Sequence, residues 1–76
     1  MTSTIPTGPV SPGRPVITVM IVDDQRAARM GLALMVNRAD GLEVIAQAVN
    51  GQDALTQLAG LRSERRPLPD GVLMDV

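Results

Sequence analysis

The 76-residue sequence has no cysteine, no lysine and no Phe, Tyr or Trp. Without cysteine there is no disulfide framework and no thiolate metal site, a composition that fits a reducing compartment. Aromatic side chains bury about 150–250 Å² each, so a core without them has to be assembled from Val, Ile, Leu, Met and Ala, and a chain this short is then expected to be marginally stable. Long apolar runs are lacking too. The longest, Val16 to Val22, is interrupted by Thr18 and falls far short of the ~20 residues a membrane-spanning helix needs. No basic segment precedes an apolar one, as a signal peptide would require. The expectation is a cytoplasmic protein with no membrane contact. The seven basic residues are all arginines, scattered from Arg14 to Arg66, and the net charge is −1. No nucleic-acid footprint follows from that distribution.

What is present reads as one small domain behind a tail. Hydrophobic residues make up 45% of the chain and charged residues 20%, a globular composition, and single domains commonly run to about 100–150 residues, which leaves no room for a second. Residues 1–15 carry Pro6, Pro9, Pro12 and Pro15 among Ser, Thr and Gly, which disfavours both helix and ladder and predicts a flexible tail. The domain is expected over residues 16–76.

From Val16 the β-branched run to Val22 predicts a strand buried on both faces, ending at Asp23 and Asp24. Arg26 to Asn37 reads as a helix with Ala28, Leu32 and Met35 as its apolar stripe and Arg26 and Arg29 outside it. Gly31 within it suggests a close helix–strand approach. Ala39-Asp40-Gly41 predicts a turn, and Leu42 to Val49 a second strand whose Glu43 and Gln47 imply a sheet edge. Asn50 is a candidate N-cap with Asp53 three residues on, near the positive end of the helix dipole. Ala54, Leu55, Leu58 and Ala59 form the expected stripe of that second helix, which is expected to fade through Gly60 and the polar segment Arg62 to Arg66. Pro67 and Pro69 force an extended connection, and Gly71 to Met74 predicts a third strand that leads into Asp75.

Alternation of strand and helix favours a parallel α/β sheet. Right-handed crossovers put the two helices on opposite faces if the strands lie in the order 2-1-3. That order makes a switch point between strands one and three, where the ligand crevice of an open α/β sheet lies. Asp23 and Asp24 end strand one, and Asp75 ends strand three. Carboxylates crowded at adjacent strand ends repel one another, a situation that a hard divalent ion such as Mg²⁺ relieves, since it takes one or two carboxylates together with phosphate oxygens. A carboxylate beside such an ion is a candidate nucleophile toward a phosphoryl group. Taken singly, the Asp-Asp pair reads as a helix cap with its neighbour and Asp75 as a surface acid; only their convergence favours a site.

Four segments then carry a resemblance: Ile21-Val22-Asp23-Asp24-Gln25; Arg29-Met30-Gly31-Leu32; Gly41 to Leu55; and Asp70-Gly71-Val72-Leu73-Met74-Asp75-Val76. In this order they resemble the receiver domain of bacterial response regulators, most closely the NarL/FixJ-like subfamily that precedes a LuxR-type helix-turn-helix. The resemblance covers Ile17 to Val76. It implies an incomplete flavodoxin-like fold and a non-enzymatic, phosphoryl-accepting module of a two-component phosphorelay that regulates transcription. Asp75 would take phosphate from a sensor histidine kinase, Asp23, Asp24 and Asp75 would hold Mg²⁺, and this segment would make no direct contact with nucleic acid.

Two departures stand beside it. Asp24 and Asp75 are 51 positions apart, several more than the family shows, with the surplus expected in Arg62 to Pro69. The chain also ends one residue after the acceptor. The family's third metal contact, a backbone carbonyl two residues beyond the acceptor, lies past Val76, as do its later Ser/Thr and Lys. The expectation is a receiver fragment inactive alone, in which Val19, Ile21, Val72 and Met74 lack covering helices. The competing reading is a non-functional product of a truncated or misassigned reading frame. A haloacid-dehalogenase-like phosphatase would show Asp-x-Asp after its strand, and only Val76 follows Asp75. A dinucleotide-binding fold would show Gly-x-Gly-x-x-Gly after the first strand, which is missing.

Overall fold

A computed structural model describes residues 15–74 of the chain. The expected tail thus lies outside the described residues except for Pro15, and so do Asp75 and Val76. Five elements follow in order: β1 (Ile17–Val22), α1 (Arg26–Arg38), β2 (Leu42–Ala48), α2 (Gly51–Ser63) and β3 (Gly71–Met74). The three strands form one parallel sheet in the order β2-β1-β3. This is the α/β arrangement expected of an incomplete flavodoxin-like fold.

The central strand alternates between two cores. Val19 and Ile21 pack with Ala33 and Val36 of α1, while Met20 and Val22 pack with Ala48 and with Ala54 of α2. The helices therefore cover opposite faces. Met20 and Ile21 are fully buried, and each contributes about 1.5–3 kcal/mol relative to an exposed side chain.

A bulge in β2 lets a single run of apolar residues serve both faces. Val19 pairs with Val44 but Met20 pairs with Ala46, leaving Ile45 as an extra residue. Leu42 and Val44 consequently join the α1 core, and Ala46 and Ala48 the α2 core. In an unbroken strand these four alternate residues would share one face. Glu43 and Gln47 are exposed, as expected of an edge strand.

The helix faces differ from the expected stripes. In α1 the buried residues are Ala33 and Val36, with Leu32 half-buried against them. Ala28 is exposed and Met35 is 69% exposed. Apolar residues run almost without break from Leu32 to Val36, so helical spacing admits several stripes, and packing beneath β1 selects one. Gly31 is exposed, and a Cβ there would meet nothing within 4 Å, so no close approach to a strand explains it. In α2, Ala54 is buried and Leu58 half-buried, whereas Ala59 is exposed and Leu55 is 64% exposed.

Local signals account for the ends of the elements. Gly41 turns the chain with φ of 81°, in the left-handed region that glycine adopts at no steric cost. Asn50 Oδ1 accepts a 2.7 Å hydrogen bond from Asp53 N–H, and Asp53 Oδ2 accepts one of 3.0 Å from Val49 N–H. The expected cap is therefore reciprocal. α2 runs through Gly60 to Ser63, ending within the segment over which it was expected to fade. Arg65 closes it in the left-handed region, at φ of 57°, while its own N–H donates to Arg62 O and that of Arg66 to Leu61 O. This is a Schellman closure with arginine where glycine is usual.

β3 is short and thinly covered, with Val72, Leu73 and Met74 exposed by 46%, 42% and 50%. Val19 and Ile21, by contrast, are buried beneath α1. The expected lack of cover thus holds for β3 and not for the central strand.

Candidate functional site

The carboxyl ends of the strands converge as the topology requires. A crevice of about 300 Å³ is lined by Val22, Asp23, Asp24, Val49, Asn50, Gly51 and Met74, drawing on all three strand ends and the start of α2. On the α1 side a second crevice, of about 350 Å³, is lined by Asp23, Leu32, Leu73 and Met74. Asp23 and Met74 border both. β1 pairs with β3 through Val22 and Met74.

Asp23 is the only buried charged side chain among the described residues, at 4% exposure. Its backbone N–H donates to Ala48 O at 3.0 Å, continuing the β1–β2 ladder by one step. Its Oδ1 accepts a 2.9 Å hydrogen bond from Gln25 N–H at the start of α1. No described residue donates to its Oδ2, and the only ion pair among the described residues, Arg66 with Glu64, lies on the surface elsewhere. A buried carboxylate with one oxygen unpaired is costly unless something positive approaches it. Asp24, next in the chain, is exposed at the same crevice.

Of the three expected site residues, Asp23 and Asp24 are brought together here, while Asp75 lies outside the described residues. Among the described residues no group of three His, Cys, Asp or Glu side chains is clustered to hold a metal. The donor chemistry of the pair still suits a hard cation, since it offers carboxylate oxygens at an open crevice where water completes the shell. Mg²⁺ therefore fits Asp23 and Asp24.

Arg29 was expected only to lie outside the apolar stripe of α1. Its Nη1 donates a 2.7 Å hydrogen bond to the carbonyl oxygen of Asp23. Its spacing of six positions from Asp23 carries it one helical turn past the loop, a relation that becomes legible only when the loop is folded. At the other end of the sheet Asp70 bonds Thr18, a contact that residues so distant in sequence do not announce.

No helix among the described residues is long and apolar enough to cross a membrane. No family model matches the chain, and no solved structure matches it. Curated proteins do. The chain is 40% identical over 60 residues to the response regulator GacA of Pseudomonas viridiflava, an alignment covering 79% of this chain and 25% of that protein. It is 42% identical over 60 residues to the transcriptional regulatory protein LnrK of Bacillus subtilis, covering 79% of this chain and 24% of the relative. A protein-glutamate methylesterase/protein-glutamine glutaminase of Syntrophomonas wolfei is 38% identical over 58 residues, or 76% of this chain and 15% of that one. The chain spans about a quarter or less of the length of these relatives. The chain is thus a homologue of response regulators over about 60 residues, and its strand order is that of an incomplete flavodoxin-like fold.

Proposed function

We propose that this chain supplies the phosphoryl-accepting site of a two-component receiver module, with Asp75 as the acceptor and Asp23, Asp24 and Asp75 as the Mg²⁺-holding carboxylates. The observation that carries this reading is the buried Asp23, whose Oδ2 has no partner among the described residues at the crevice where β1 and β3 end. The partner that would supply phosphate is a sensor histidine kinase, and the outcome is transcriptional regulation, as the name of the transcriptional regulatory protein LnrK suggests. One relative is named as an enzyme, yet it shares only 15% of its length with this chain. A segment common to proteins with such different names is better read as a shared input module than as the seat of catalysis.

In this reading an oxygen of the Asp75 carboxylate attacks phosphorus while the bond from phosphorus to the donor imidazole nitrogen breaks, and the imidazole leaves with the bonding pair. A bound Mg²⁺ would neutralise charge on the phosphoryl oxygens as they pass. Asp23 and Asp24 would hold that ion at the crevice, and Arg29 fixes the carbonyl of Asp23 and with it the β1–α1 loop. Positioning and charge neutralisation are the main contributions a protein makes to this kind of transfer.

The test is a chimera in which residues 16–76 replace the matching part of LnrK, treated with a small acyl phosphate and Mg²⁺. Mass spectrometry is expected to find the label on Asp75 alone and to lose it in Asp75→Asn. A label that persists in that variant, or that settles on another acid, overturns the assignment.

A further inference from the structure

At the end of the sheet opposite the acids, two residues make four hydrogen bonds. Asp70 Oδ2 accepts from Thr18 N–H at 2.9 Å and from Thr18 Oγ1 at 3.2 Å. In return Asp70 N–H approaches Thr18 O at 2.8 Å and Thr18 Oγ1 at 3.1 Å. The partners are 52 positions apart in sequence. They lie immediately before the first paired residues of the two strands, Val19 with Gly71.

β3 has little else to fix its register. It is four residues long, follows a connection containing Pro67 and Pro69, and leaves its three apolar side chains about half exposed. Register is well specified where a face is buried and poorly specified where it is not. A slip of one residue moves the strand end by about 3.3 Å and turns each side chain to the other face. That is enough to remove Met74 from the crevice it shares with Asp23 and Asp24.

We infer that Thr18 and Asp70 form a positioning clamp that sets the register of β3 against β1 and so fixes how far β3 reaches toward the Asp23–Asp24 crevice. Its significance for function rests on the reading above, in which the residue after Met74 completes the acidic site. Binding at such a site weakens in proportion to the fraction of molecules with β3 docked in register. The clamp therefore acts on the site from the far end of the sheet without touching it.

The experiment uses the 76-residue chain, isotope-labelled, with NMR contacts between Ile21 and Leu73 reporting the β1–β3 register and those between Ile21 and Gln47 serving as the β1–β2 control. Mg²⁺ alone is the ligand probe. Asp70→Ala is expected to lose the Ile21–Leu73 contacts, keep the Ile21–Gln47 contacts and weaken Mg²⁺ binding by about five- to tenfold. Thr18→Ser, which keeps the hydroxyl, is expected to behave as wild type, and Thr18→Val to fall between. Asp70→Ala that retains the Ile21–Leu73 contacts overturns the clamp. So does loss of both sets of contacts together in Asp70→Ala and Thr18→Val, which would mark a general fold requirement. If the wild type binds no Mg²⁺ near Asp23, the functional reading fails, and the strand contacts still decide the clamp.

Discussion

The Arg29 guanidinium reaches back from α1 to the carbonyl oxygen of Asp23 at 2.7 Å, joining the first helix to the acidic loop that precedes it. A hydrogen bond from a charged donor contributes about 1.5–3 kcal/mol when its surroundings are partly buried. Arg29→Met, which keeps the aliphatic stem, is therefore expected to lower unfolding free energy by about 1–2 kcal/mol in urea titration. The loop amides of Asp23 to Gln25 should exchange faster in the same variant. Unchanged stability and exchange would remove Arg29 from this role.

The reciprocal cap of α2 predicts a second effect. Asn50→Ala leaves Asp53 N–H without its 2.7 Å acceptor and is expected to cost about 1 kcal/mol. Asn50→Asp, which retains an oxygen acceptor near the positive end of the dipole, should remain within a few tenths of a kcal/mol of wild type. Circular dichroism during thermal unfolding distinguishes the two.

Arg65 predicts a gain. A non-glycine residue in the left-handed region carries a steric cost of roughly 1–2 kcal/mol, part of which glycine returns as unfolded-state entropy. Arg65→Gly is expected to raise stability by about 0.5–1 kcal/mol. Because Arg65 is exposed and makes no ion pair among the described residues, little is lost in exchange. A lower melting temperature in this variant would contradict the Schellman assignment.

Particular residues show why some of this was legible in the sequence. The run from Ile17 to Val22 announces a central strand because both faces are apolar, and Asn50 with Asp53 announces a helix start because both side chains suit the same cap. The order 2-1-3 follows from crossover handedness once the helices lie on opposite faces, as α1 over Val19 and Ile21 and α2 over Met20 and Val22 do. The stripe of α1 was not legible, because Leu32 to Val36 offers apolar residues in several directions and only packing beneath Val19 and Ile21 chooses Ala33 and Val36. The bulge at Ile45 was hidden for a related reason. No glycine marks it, and Leu42, Val44, Ala46 and Ala48 look like one face until the pairing to β1 separates them. At the candidate site, the place of Asp23 and Asp24 after a strand was legible, but the burial of Asp23 and the exposure of Asp24 were not, because they depend on how the chain folds around the strand end.

The exposed β3 implies uneven stability along the 76-residue chain. Val72, Leu73 and Met74 leave an apolar edge open, which lowers the free energy of local opening and invites self-association. Hydrogen exchange in the isolated chain is expected to protect Met20 and Ile21 most and the β3 amides least, with no measurable phosphotransfer from a kinase to so loosely held a strand. Equal protection across the three strands, together with stable kinase-dependent labelling, would show that β3 needs no further cover.

The central claim is that Asp23 and Asp24 hold a divalent cation at the carboxyl end of the sheet, and Mg²⁺ titration of the labelled chain followed by NMR tests it most directly. Saturable shifts are expected first at Asp23 and Asp24, then at Val49 to Gly51 and Met74, which border the same crevice. Asp24→Asn should abolish them. Small, unsaturating shifts spread evenly over all eight acidic residues, unaffected by Asp24→Asn, would contradict the account.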